Sequence, residues 1–138
     1  MATTTKKVTY CYLKVPSRAG QGAKVLAALN DAGVDLLMYS GFPIGGGKAQ
    51  LDFVPRRMTD FRRVARREGW RVSKNMKAFL IQGDDKPGAL GRLMDRLAAA
   101  GINATAGQAI AAGKKRFGMI LWVNPKVYRR AARALNAK

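Results

Sequence analysis

The run Asp84-Asp85-Lys86-Pro87-Gly88-Ala89-Leu90 sets two carboxylates, a lysine and a restrained turn directly before an apolar-periodic segment. Residues of these types in this order suit binding better than bond-breaking. Gly88 allows close backbone approach and unusual dihedrals, and Pro87 restricts the loop. The helix that follows opens with unpaired N–H groups at the positive end of its dipole, where a carboxylate can dock. The same residues have a structural use: an aspartate in an Asp-x-Pro-Gly stretch commonly begins a turn and caps the helix behind it. Both uses stand at this point.

Other chemistry has little to draw on. There is no histidine and only one cysteine, so neither a zinc site nor an internal disulfide is available. Cys11 sits between Tyr10 and Tyr12 without the base a nucleophile requires. The eight acidic residues show no spacing that demands a general acid and base pair. Gly45-Gly46-Gly47-Lys48 lacks the G-x-x-x-x-G-K-[ST] spacing of a phosphate loop and precedes a strand, so it reads as a hairpin connection. No catalytic residue, metal or cofactor is expected.

The elements that must position the loop occur twice. Lys86 to Gly91 leads into Leu93, Met94 and Leu97 and ends at Ala100-Gly101-Ile102-Asn103. Arg18-Ala19-Gly20-Gln21-Gly22 leads into Val25, Leu26 and Leu29 and ends at Ala32-Gly33-Val34-Asp35, 68 positions earlier. The chain is a duplication. In the first copy, residues 8–15 read as a strand, 20–31 as a helix stopped by Gly33, and 34–40 as a strand. Residues 41–47 read as a glycine-rich loop, 48–54 as a strand with Ala49, Leu51 and Phe53 on one face, and 58–67 as a helix. Residues 70–72 make a short last strand. The second copy repeats the order with strands at 77–82, 102–110 and 116–123 and helices at 88–100 and 126–135, Pro125 standing at the last helix's first position. Pro55 matches Pro125 at an offset of 70, which places two extra residues in the second hairpin loop. After Leu135 too little chain remains for a last strand.

The fold class is thus α+β: two tandem ferredoxin-like βαββαβ units, antiparallel sheets with helices on one face. Residues 1–6 read as a flexible tail, 7–75 as the first unit and 76–138 as the second.

A strand ending in a polar pair, then Lys86-Pro87-Gly88-Ala89-Leu90, a helix, and Gly101-Ile102-Asn103 opening the next strand resembles the ACT-domain pattern. The first copy matches less closely, with Ser17-Arg18-Ala19-Gly20 in place of Asp-x-Pro-Gly and Asp35 in place of the asparagine. The resemblance implies a small stand-alone regulatory module that pairs its sheets and binds an amino acid or related molecule between copies. It would gather Asp84, Asp85 and Asn103 around the ammonium and amide groups of that ligand, beside Lys86, Pro87, Gly88, Ala89 and Leu90. Ser17, Arg18, Gly20, Gln21 and Asp35 are the equivalents, with Arg18 a carboxylate partner. The second loop keeps the fuller motif and is the first choice if only one site works.

The formal charge is +18 in 138 residues. Residues 55–75 and 114–138 supply +14 of it. Arg62, Arg63, Arg66 and Arg67, and Arg129, Arg130 and Arg133, would line the outer faces of the second helices. A nucleic-acid-binding module is therefore the alternative function. A solvated basic face, or one that docks an acidic protein, is the plainer reading. The absence of a membrane-length apolar run and of a signal-peptide pattern leads us to expect a cytoplasmic protein. An unpaired edge left by the missing strand leads us to expect a homodimer.

Overall fold

Period-two apolar patterning and glycine punctuation produce strands and helices in the anticipated order. The computed structural model describes residues 3–138. The elements are β1 (Thr4–Pro16), α1 (Gln21–Asp31), β2 (Leu36–Gly45), β3 (Lys48–Pro55), α2 (Met58–Glu68), β4 (Met76–Asp84), α3 (Ala89–Ala99), β5 (Ala104–Ala111), β6 (Arg116–Val123) and α4 (Tyr128–Ala134), with a 3-10 turn at Pro125–Val127. The chain forms two compact units, Thr9–Met76, and Lys77–Lys138 joined by the described residues up to Val8.

In the first unit β3 lies between β2 and β1, all antiparallel. Cys11 faces Phe53 and Leu13 faces Leu51 across the β1–β3 pair. Against these side chains α1 packs Val25 and Leu29, and α2 packs Phe61, Val64 and Ala65. The short last strand is reduced to one antiparallel bridge, Leu13 to Val72. It is held by Ser73 N–H donating to the Tyr12 carbonyl at 2.8 Å and Tyr12 N–H donating to Ser73 Oγ at 2.9 Å. Gly69, at φ 72°, ends α2 only a few residues before β4 begins, which leaves little chain for a longer strand.

In the second unit β4 neighbours β1, and β6 lies between β4 and β5. Phe79 and Ile81 of β4 and Phe117, Met119 and Leu121 of β6 meet Leu93 and Leu97 of α3 and Ala131 of α4. The Tyr128 ring stacks on Phe79 at 4.5 Å, and its hydroxyl donates to the Ala78 carbonyl at 2.8 Å. Burial pushes that phenol up to about 12.

Four expectations are corrected. Thr4, Thr5 and Lys6 open β1 rather than forming a tail, as their β-branched side chains favour; Met1 and Ala2 lie outside the described residues. This early part of β1 occupies the place beside β4 that the missing last strand left open, and Lys138 adds backbone bonds to Thr5 at 3.0 Å and Lys7 at 3.2 Å. The glycine-rich stretch is mostly strand: β2 runs on to Gly45, and the turn is confined to Gly45, Gly46 and Gly47, all at positive φ. Finally, the two extra residues are not in the second hairpin, because β3 and β6 correspond at 68 throughout. They fall between β6 and α4, where the 3-10 turn forms and the Asn124 side chain accepts from Lys126 N–H at 2.9 Å.

Candidate ligand-binding site

Both strand-to-helix loops are held in the same way. Ser17 N–H donates to the Gly47 carbonyl and Asp85 N–H to the Lys115 carbonyl, each at 2.8 Å, tying each loop to its own hairpin turn. Gly20 and Gly88 stand at the helix N-caps in the left-handed region, φ 90° and 87°. Neither α1 nor α3 has a side-chain cap or an acidic residue in its first turn. The capping use of Asp84 or Asp85 is therefore not realised: the first amide of each helix turns back to its own loop, Gln21 N–H to the Arg18 carbonyl at 3.3 Å and Ala89 N–H to the Lys86 carbonyl at 3.2 Å, and the dipole of each N-terminus has no side chain capping it.

Each loop and the hairpin beside it enclose a cleft. In the first unit Ser17, Arg18, Gln21 and Gly22 face Tyr39, Gly41 to Pro43 and Ala49 across about 440 Å3. In the second, Asp85, Lys86 and Gly88 to Gly91 face Ala109 to Ala111 and Phe117 across about 220 Å3. The linings correspond at the 68-residue offset: Ser17 with Asp85, Arg18 with Lys86, Gln21 with Ala89, Gly41 with Ala109, Ala49 with Phe117. The linings differ by two exchanges. Phe117 stands where the first unit has Ala49, and Leu90 where it has Gly22. The space over Gly22 is used by Tyr39, whose hydroxyl lies 3.0 Å from where a Cβ on that glycine would be.

The structure gathers only part of the anticipated set. Ser17, Arg18 and Gln21 line the first cleft, and Asp85, Lys86, Gly88, Ala89 and Leu90 the second. Gly20 acts through its backbone as the α1 cap, and Pro87 is exposed in the loop just before the α3 cap. Asp84 is drawn off by Arg116, its cross-strand partner, with Nη1 to Oδ1 at 2.8 Å. Asn103 and Asp35 are at the other end of their sheets. Each directly precedes or nearly precedes a strand whose start pairs with the far end of the hairpin, Ala104 with Val123 and Leu36 with Pro55. An eleven-residue helix rising about 1.5 Å per residue carries the chain that far from the loop. Asp35 instead pairs with Arg56 at 2.7 Å. Sequence reasoning missed the hairpin residues, above all Tyr39, Ala49, Ile110 and Phe117, although the constant offset through both hairpins marked them as a matched set.

The arginine faces differ between the units. On α2, Arg62 is half-buried and bound to the Ser73 carbonyl at 2.7 Å and to Asn75, Arg63 lies 3.5 Å from Asp60, and Arg67 lies 3.5 Å from Glu68, while Arg66 is exposed. On α4, Arg129, Arg130 and Arg133 are exposed, and Arg130 donates to the Ala100 carbonyl at 3.3 Å. Among the described residues, no helix is long and apolar enough to cross a membrane.

No family model matches the chain, and no curated protein does. Solved structures do. The chain is similar to a protein from Bacteroides thetaiotaomicron at 13% identity and a TM-score of 0.78, over 97% of this chain and 88% of that one. It is also similar to the regulatory subunit of aspartate kinase from Thermus thermophilus in its ligand-free form, at 17% identity and a TM-score of 0.67, over 99% and 95% of the two chains. The corresponding subunit from Thermus flavus matches at 16% identity and a TM-score of 0.61, over 99% and 95%. At such identities the likeness shows the fold alone: an α+β, ACT-like fold of the kind found in these regulatory subunits.

Proposed function

We propose that the chain is a non-enzymatic regulatory module, two tandem ACT-like units that take an amino acid or a related small molecule in the loop–hairpin clefts. One observation carries the reading. Two clefts built from corresponding residues each end on a helix N-terminus that has no side-chain cap and a left-handed glycine at its head. Such an end supplies amides and a positive dipole to a ligand carboxylate. The likeness to regulatory subunits of aspartate kinase supports a regulatory role.

Of the two clefts, the first is the better seat, although its loop departs further from the ACT pattern. It has twice the volume, and it offers Arg18 for a carboxylate and Ser17, Gln21 and the Tyr39 hydroxyl for polar groups. In the second cleft Phe117 and Leu90 take up the room, and Asp85 stands where a carboxylate would be repelled. Binding would act by population shift, favouring whichever arrangement of the chain, or of a pair of chains, holds the ligand more tightly. A homodimer is part of this reading. It no longer rests on a missing strand, whose place β1 fills, but on the exposed edge strand β5.

The test is a thermal-shift and calorimetric screen of the free amino acids. A ligand at about 100 times its Kd adds ~2.7 kcal/mol to stability, which raises the Tm by several degrees. Ala49→Phe should fill the first cleft and Arg18→Ala should remove its cation, each abolishing the shift while leaving the unliganded Tm close to that of the parent. If no amino acid raises the Tm, or the shift survives both variants, the first cleft is not the seat.

A further inference from the structure

A third concavity lies away from both clefts. It is bounded by Lys7 of β1, Lys77 of β4, and Arg129 and Arg133 of α4, and holds about 500 Å3. Its floor includes Tyr128 and Ala132. That floor is rigid: Tyr128 is 7% exposed, stacked on Phe79 and bonded through its hydroxyl to the Ala78 carbonyl, so only the ring faces outward. Lys77 Nζ stands 5.7 Å from the ring centroid, which holds its charge over the groove. Arg129 and Arg133 are four residues apart, so their side chains leave α4 on the same face. Among the described residues, no aspartate or glutamate lines the groove.

The contrast with α2 is informative. There Asp60 and Glu68 partly neutralise Arg57, Arg63 and Arg67, and Arg62 is spent on Ser73 and Asn75. The groove on the second unit gathers four cations from three elements into one concavity with no acidic side chain among its lining residues. Like charges gathered in this way repel one another, and an anion bound among them would relieve that repulsion. Two lysine ammoniums and two arginine guanidinium groups suit an anion that carries several charges over a short span and offers pairs of oxygens on adjoining tetrahedral centres, the character of linked phosphates.

We propose that this groove is a binding site for a small polyphosphate, either an inorganic chain or the triphosphate of a nucleotide. Calorimetric titration of the full chain with tripolyphosphate, ATP, citrate and a short RNA, at two salt concentrations, tests it. The expected result is one tripolyphosphate or ATP bound per chain, more tightly than citrate. Lys77→Gln and Arg133→Ala should each weaken that binding about tenfold or more, the loss expected when a charged hydrogen-bond partner is removed. The double variant Arg66→Ala/Arg67→Ala, which removes from α2 twice the charge that either groove variant removes, should leave it within about twofold, a change too small to reflect a lost contact. Tighter binding by ATP than by tripolyphosphate assigns the site to nucleotides; equal binding assigns it to the phosphate chain itself. The proposal is overturned if citrate binds as well as tripolyphosphate, if several polyphosphates bind per chain, if RNA alone binds, or if the α2 double variant weakens binding as much as the groove variants. Lys77 is exposed, so Lys77→Gln keeps the test valid if Arg133→Ala unfolds α4.

Discussion

Asp52 is the one acidic side chain buried among the described residues, at 4% exposure, with a hydrogen bond from Gln50 Nε2 at 2.9 Å. Burial raises its pKa above the ordinary 3.8, and the Gln50 bond only partly opposes that. A carboxyl whose pKa is higher folded than unfolded contributes stability that is complete at low pH and is lost as pH rises through its folded value. Asp52→Asn should therefore raise the Tm at pH 7, with the gain shrinking as pH is lowered towards 4; thermal melts of both proteins across that range decide it. An equal gain at every pH would show that charge is not the cause. Cys11 is buried completely and its thiol is pushed up to about 11 by that burial, so it behaves as a small apolar residue of the strand. The sequence already indicated this role, since no base neighbours it. The opposite holds for Ala49 and Phe117, which decide the two cleft volumes yet look like ordinary strand residues when read along the chain.

The duplicated units solve one packing problem in two ways. In the first, a helix supplies the aromatic ring, Phe61, and β1 supplies the small Cys11. In the second, β4 supplies Phe79 at the position of Cys11, and α4 supplies the small Ala131 at the position of Phe61. Exchange of bulk between facing elements keeps the density of a core while erasing sequence identity between its copies. Edge strands show a different economy. All of β5 beyond Ala104 is exposed, it has no charged residue or proline, and Ile110 is 73% exposed. A strand of that kind is a template for pairing with another chain. Ile110→Asp should convert a dimer to a monomer, read as a halved mass by light scattering, while changing the stability of the folded chain by no more than about 0.5 kcal/mol, as for other surface changes. A parent protein that is monomeric at micromolar concentration would remove β5 as the dimer contact.

For the whole molecule, β1 has the most far-reaching role, because its first residues belong with one unit and the remainder with the other. Deleting residues 1–8 should leave β4 with an unpaired edge, increase hydrogen exchange of its amides and lower the Tm. Unchanged protection across residues 76–84 would show that β4 does not depend on this pairing. The local elements and the duplication were legible in the chain itself because helix and strand periodicity, positive-φ glycines and a constant 68-residue offset are all written at short range. Those signals led correctly to strand, helix and hairpin order. They did not reveal which strand fills the place beside β4, or that four cations meet around Tyr128. Each of these depends on residues distant in sequence becoming neighbours, which is set by how sheets pair and helices cross them. Only the tertiary structure brings such residues together, since no local propensity encodes a contact between segments far apart in the chain.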